Sequence, residues 1–184
     1  HLDLTYNRWQ LRLDYQGLFD RGAGTFSQIV EPWGQADNAR TAVDVWWRPK
    51  VWADWDLEAR LVYQRWFENS ELWLQPPGAI YKNGLYPEGI KEHSRLTEQE
   101  QHFSLSGLYK GFSTHLLRFG VGYLTEELSN SNYFTNQGVD GTGKPLPPGG
   151  PMVDLTDTSF VQFPEVGRQD KYVLAQDSWS LAEN

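Results

Sequence analysis

The chain carries four histidines, His1, His93, His102 and His115, and no cysteine. Metal sites draw on imidazole and thiolate ligands at short, recurring spacings. No two of these histidines stand in a His-x-x-x-His arrangement. Without cysteine there is no thiolate ligand, disulfide or cysteine nucleophile. Carboxylates are plentiful: Asp56 and Glu58 share one side of an alternating stretch with Arg60, and Glu98 and Glu100 flank a strand start. Paired carboxylates can hydrolyse glycosides, but a wall of charged side chains facing water explains this spacing with fewer assumptions. Asp140-Gly141-Thr142-Gly143 and Asp154 to Asp157 are acidic enough to suggest calcium. Neither supplies the alternating oxygen ligands of a calcium loop, and both read as turns. Gly-x-Ser-x-Gly does not occur, and Gly141-x-Gly143 lacks the strand–helix setting of a dinucleotide site. The sequence therefore predicts no catalytic residue, no metal site and no cofactor, and the chain reads as a non-enzyme.

A different chemistry is available in the segments rich in Gly, Pro, Asn and Ser. Trp33, Trp73, Tyr81, Tyr86, Tyr133 and Phe134, with Asn132 and Asn136 beside them, combine large apolar area with polar tips. Such side chains can capture a ligand, or they can pack the loops against one another. The sequence leaves both open.

The elements that would position them are strands. Apolar residues recur at period two rather than 3.6. Trp9, Leu11, Leu13 and Tyr15 oppose Gln10, Arg12, Asp14 and Gln16. Trp55, Leu57, Ala59, Leu61 and Tyr63 oppose Asp56, Glu58, Arg60, Val62 and Gln64. Leu117, Phe119, Val121 and Tyr123 oppose Arg118, Gly120 and Gly122. Val43, Val45 and Trp47, then Phe103, Leu105 and Tyr109, form shorter sets, and Leu2, Leu4 and Tyr6 end an earlier strand. Asp170 to Trp179 is a further strand with both faces mixed, so it cannot be phased. On a helix, positions i and i+2 diverge and these apolar residues would scatter. The connections alternate in length. Asn7-Arg8, Arg48 to Asp54 and Lys110 to Thr114 are short, whereas Leu18 to Arg40, Glu68 to Glu98 and Glu126 to Gln169 are long. That rhythm predicts an all-β, antiparallel up-and-down meander of about seven strands, with tight turns at one end and long loops at the other.

Composition narrows the environment. Mean hydropathy is −0.60 and no long apolar run exists, so a membrane-spanning helix, which needs about 20 apolar residues, is excluded. A membrane β-barrel is not, because each strand offsets its apolar half with a polar half. A net charge of −8 with no basic stripe argues against a nucleic-acid partner. Trp9, Trp47, Trp52, Trp55, Phe112 and Trp179 gather near the short turns, and Tyr15, Tyr63, Phe67 and Tyr123 near the long-loop ends. Trp55 and Tyr63 lie roughly 20 Å apart along the barrel axis at the usual rise and tilt, close to an apolar band about 25 Å tall between two aromatic girdles.

Tyr172-Val173-Leu174-Ala175-Gln176-Asp177-Ser178-Trp179 resembles the strand of TonB-dependent outer-membrane receptors that reads aromatic, aliphatic, Gln-Asp-x-Trp. His115 to Tyr123 and Trp55 to Tyr63 resemble other strands of these barrels, and Leu74-Gln75-Pro76-Pro77-Gly78-Ala79 resembles an extracellular loop of one subgroup. The resemblance spans essentially residues 1–184 and implies part of a partial transmembrane β-barrel, cut at both ends, without the family's plug domain or energy-coupling segment. It implies the outer membrane of a Gram-negative bacterium, contact with outer-membrane lipid, and active transport of a scarce nutrient, an iron–siderophore or cobalamin-like chelate. The partners it implies are the protein's own plug and the inner-membrane TonB complex. A passive porin and a soluble lectin-like β-sandwich are the alternatives. Closure satisfies strand edges in lipid, so the isolated segment is expected to aggregate.

Overall fold

The computed structural model describes residues 1–24, 30–81 and 84–180. They form ten strands: β1 (Leu2–Tyr6), β2 (Trp9–Gly24), β3 (Val30–Trp47), β4 (Trp55–Gln75), β5 (Ala79–Tyr81), β6 (Gly84–Tyr86), β7 (Ile90–Tyr109), β8 (His115–Thr135), β9 (Val153–Asp154) and β10 (Val166–Trp179). The main sheet runs β1-β2-β3-β4-β7-β8-β10, antiparallel throughout, with β9 paired to β8. β5 and β6 make a separate hairpin. The all-β meander is therefore present. Closure is not: the sheet is open, with β1 and β10 as its edges.

The short turns are bound to one another. Asn7, with φ 53°, takes the left-handed conformation that Asn tolerates and lets Tyr6 pair directly with Trp9. Arg48 N donates to Arg8 O at 2.9 Å, Lys110 N to Asp54 O at 2.8 Å, and Ser180 N to Thr114 O at 2.9 Å.

The long connections differ from the expectation. Leu18 to Arg40 and Glu68 to Glu98 are largely strand rather than irregular loop, because β2, β3, β4 and β7 run on as paired ladders, whereas Glu126 to Gln169 is strand at its two ends and mostly irregular between Thr135 and Val166. β4 and β8 have 21 residues each. At about 3.3 Å per residue they reach roughly 70 Å, far more than one apolar band requires. Past Tyr63 the apolar side of β4 continues as Arg65, Phe67 and Asn69. Here the chemical alternation disappears while the backbone pairing persists.

A bulge redirects β8. Arg95 pairs with Asn132 and Thr97 with Ser129, so β8 carries one extra residue near Asn130, which has φ 50°. Beyond it the parity of β8 reverses, placing Tyr133 opposite Ser94 and Phe134 opposite His93. The buried apolar residues concentrate at this long-loop end, where Tyr86, Ile90, Leu96, Leu146 and Leu155 sit among the β5–β6 hairpin and the segment after β8.

Candidate functional site

The ladder registers assemble two unlike faces. Leu11 pairs with Val45, Val45 with Leu61, Leu61 with Phe103 and Phe103 with Tyr123, giving one continuous apolar row. Among the described residues no second layer packs over it. Leu61 is 52% exposed, Phe119 and Val121 are each 46% exposed, and Leu11 is half-buried. The pairing also phases β10: Val173 joins Val121 and Ala175 joins Phe119 on this face. At the short-turn rim the aromatic rings touch in series. Trp55 and Tyr109 lie 5.1 Å apart, Tyr109 and Phe112 5.2 Å, Phe112 and His115 6.4 Å, and His115 and Trp179 5.7 Å. Trp9 and Trp47 stack at 5.7 Å on the same rim.

The opposite face is laced with ions. Arg60 holds Asp44 through two bonds, 2.9 and 2.6 Å. Arg12 holds Asp3 at 3.2 Å, Arg48 holds Glu58 at 2.7 Å, and Lys110 pairs with Asp56. Between Arg12 and Arg60 lies Trp46, its ring 5.2 Å from one guanidinium and 4.8 Å from the other. Trp46 is only 8% exposed, although it belongs to the charged face. Two cations on one indole are tolerable because Asp3 and Asp44 neutralise them. Further along the sheet, His102 Nε2 and the Tyr172 hydroxyl lie 3.0 Å apart, with the Tyr172 ring over Gly122, where a Cβ would collide.

Higher on the same face Trp66 is left open. It pairs with Arg40 on one side and Glu98 on the other. Arg40 Nη2 donates to Gln64 Oε1 at 2.5 Å. With Glu100 and Arg65 these residues line a cleft of about 270 Å³. Trp66 is 38% exposed.

At the long-loop end, buried Glu92 bonds Tyr133, and Ser70 Oγ and Ser94 Oγ lie 2.9 Å apart. Burial pushes the Glu92 carboxyl up, opposed by the Tyr133 bond. Burial and the neighbouring carboxylate push the Tyr133 phenol up to about 12. Asn136, also buried, donates to Gly89 O at 2.9 Å and accepts from Lys91 N at 2.8 Å. It fixes the turn into β7.

The six aromatic candidates separate accordingly. Trp33 falls where side chains lie outside the described residues. Tyr86 is 1% exposed, so it packs the loop end and cannot offer its ring to a ligand. Tyr133 bonds Glu92, and Phe134 stacks on His93 at 5.7 Å, on opposite sides of the sheet after the bulge. Trp73 lies under the Lys91 ammonium, 4.4 Å from its ring centre. Tyr81 is 37% exposed on the hairpin. The structure thus does not bring the five described ones into one site. His93 Nε2 donates to Asn69 Oδ1 at 3.1 Å, which occupies that nitrogen. Asp140 accepts from Thr142 and Lys144 within a turn, and Asp154 from Thr156, so both acidic stretches are turns. Among the described residues no three His, Asp or Glu gather as metal ligands. Sequence reasoning missed Trp46 and Trp66 as features of the polar face. No family model, curated protein or solved structure matches the chain.

Proposed function

We propose that this chain is part of an outer-membrane barrel of a Gram-negative bacterium. Its apolar face meets lipid and its charged face lines a water-filled passage. One observation carries the reading: a sheet face of Leu, Val and Phe left half exposed, edged by touching aromatic rings, on the reverse of a wall of ion pairs. A water-soluble sheet would need a second layer on that face, as in a sandwich, and none lies there among the described residues. Lipid would supply the missing cover. The roughly 25 Å apolar band would occupy the short-turn half of the long strands. The remainder would project outward and carry the loop-end assembly.

The finer reading is a TonB-dependent receptor for a scarce metal chelate. It is supported by the resemblance around Gln176-Asp177-Ser178-Trp179 and by the folded assembly around Tyr86, Ile90 and Asn136, which suits capture better than free diffusion. The ligand would dock at the long-loop end. A plug moved by the energised inner-membrane complex would then open the passage. Fractionation tests the first level: the protein should stay with the outer membrane and leave it only in detergent. Uptake tests the second. Transport of an iron chelate should vanish when the energising complex is deleted, whereas a passive porin would transport undiminished.

A further inference from the structure

We infer that the polar face carries a binding site for a small zwitterionic ligand with a flat or apolar body, centred on Trp66. The inference rests on the reading of this face as the wall of a water-filled passage, and it adds a ligand class distinct from the metal chelate.

Trp46 shows what a completed set of these groups looks like on this face. There an indole is enclosed by two guanidiniums, and each guanidinium has its own carboxylate. The same residue types recur at Trp66, but unassembled. Arg40, Trp66 and Glu98 lie side by side on β3, β4 and β7. Neighbouring strands are about 4.8 Å apart, so Arg40 and Glu98 bracket the indole at roughly 10 Å backbone separation. One row below, Gln64 pairs with Glu100. Among the described residues, Arg40, Glu98 and Glu100 have no ion-pair partner, and no ring or cation stacks on Trp66. The Gln64 amide oxygen braces the Arg40 guanidinium without neutralising it.

The cleft therefore offers a cation and carboxylates on opposite sides of an open aromatic platform. Arg40 stands on one side of the indole, and Glu98 and Glu100 stand on the other. A singly charged ligand would leave one side unanswered. A neutral sugar would find the platform but not use the charge separation. A ligand with a carboxylate toward Arg40, an ammonium toward Glu98 and Glu100, and its body on Trp66 uses every group. Guanidinium–carboxylate and ammonium–carboxylate contacts are the charge-assisted kind, and the indole adds contact area and cation–π attraction.

The test is calorimetric titration of the intact protein in detergent micelles with four matched probes: L-phenylalanine, 3-phenylpropionate, phenethylamine and glucose. Saturable binding of L-phenylalanine is expected, at least about tenfold tighter than either singly charged analogue, with none for glucose. Arg40→Gln and Glu98→Gln should each weaken L-phenylalanine about tenfold and erase its advantage over the analogue that lacks the matching charge. Trp66→Phe should retain part of the affinity and Trp66→Ala lose it, with unchanged circular dichroism showing that the variants fold. No saturable L-phenylalanine binding, equal binding of a singly charged analogue, or preference for glucose would overturn the site. Failure here leaves outer-membrane fractionation unaffected, and a protein that binds L-phenylalanine yet needs no detergent would keep the site and lose the membrane reading.

Discussion

The rings of His115 and Trp179 lie nearly parallel, 6° apart with centroids 5.7 Å apart, while His115 Nδ1 bonds Asp177 Oδ2 at 2.7 Å. This pair joins the outermost strand to β8 at the short-turn rim and sets which side of β10 is apolar. From that register Val173 and Ala175 fall beside Val121 and Phe119. An aromatic pair with one polar end is the composition expected where hydrocarbon gives way to water.

The two faces should respond oppositely to charge. Val121→Arg should cost about 2–4 kcal/mol, the range for a cation near a bilayer midplane. Ser106→Arg, opposite Glu58 on the charged face, should cost under about 1 kcal/mol. Urea unfolding of the reconstituted protein, read by the mobility of unheated samples on gels, would measure both. Equal costs would remove the sidedness.

Arg60 and Asp44 form the best-bonded pair of the polar wall, with the Asp44 side chain mostly buried. Arg60→Met strips Asp44 of both bonds and removes a cation from Trp46. A loss of about 1–3 kcal/mol is expected. Asp44→Asn should cost less, since an amide still accepts one bond. A double-mutant cycle between Arg60 and Trp46 should return about 0.5–1 kcal/mol for the cation–π contact.

The loop-end assembly should weaken as pH rises. Burial raises the Glu92 carboxyl above its ordinary 4.5, so the folded state holds the proton that the unfolded state releases first. Its contribution is fully present below that value and is lost as pH climbs through the folded value. Tyr133 repeats the pattern at the alkaline end, between about 10 and about 12. Hydrogen exchange of the amides near Glu92 and Tyr133 should speed up with pH beyond the intrinsic rate. Glu92→Gln should flatten the acid-side dependence and slow exchange at neutral pH. A Gln variant that exchanges faster at neutral pH would show that the ionised carboxylate stabilises the assembly.

Asn136 is a third local test. It supplies both bonds to the turn between Gly89 and Lys91, and Gly89, with φ 77°, has no room for a Cβ against Trp73 and the Gln75 carbonyl. Asn136→Ala should cost the assembly about 1–3 kcal/mol, and Gly89→Ala should cost a similar amount through strain and clash. Protease nicking between β4 and β7 would report both, while the mobility test on the apolar half should not change.

Much of the fold was legible because one face of each short segment is apolar and the other polar. Trp55 to Tyr63 and His115 to Tyr123 display that contrast with one exception each, Val62 and Leu116, so their strands and shared face follow from residue type. The same logic fails where the contrast stops. Arg65 and Asn69 continue the face of Leu61 with polar residues on both sides, and a strand of 21 residues reads as a strand and a loop. β10 could not be phased because Lys171 and Asp177 lie on the apolar side and Leu174 on the polar side, which only pairing reveals. Strand alternation separates Tyr133 from Phe134, and the bulge at Asn130 decides which of them shares a face with Ser94, a shift that residue types do not mark. Trp66 stands between Arg65 and Phe67, where neither face is marked, so its place beside Arg40 and Glu98 needed the register.

The central claim is that hydrocarbon covers the Leu11, Leu61 and Val121 side of the sheet. The absence of native cysteine makes it directly measurable. Single cysteines at each position from 116 to 128 of β8, spin-labelled in a reconstituted bilayer, would report collision with oxygen, which partitions into lipid, and with a water-soluble nickel chelate. The account predicts period-two alternation, with Leu117, Phe119, Val121 and Tyr123 favouring oxygen, Arg118, Gly120 and Gly122 favouring nickel, and the contrast fading past Thr125. Uniform nickel access on both sides would contradict it.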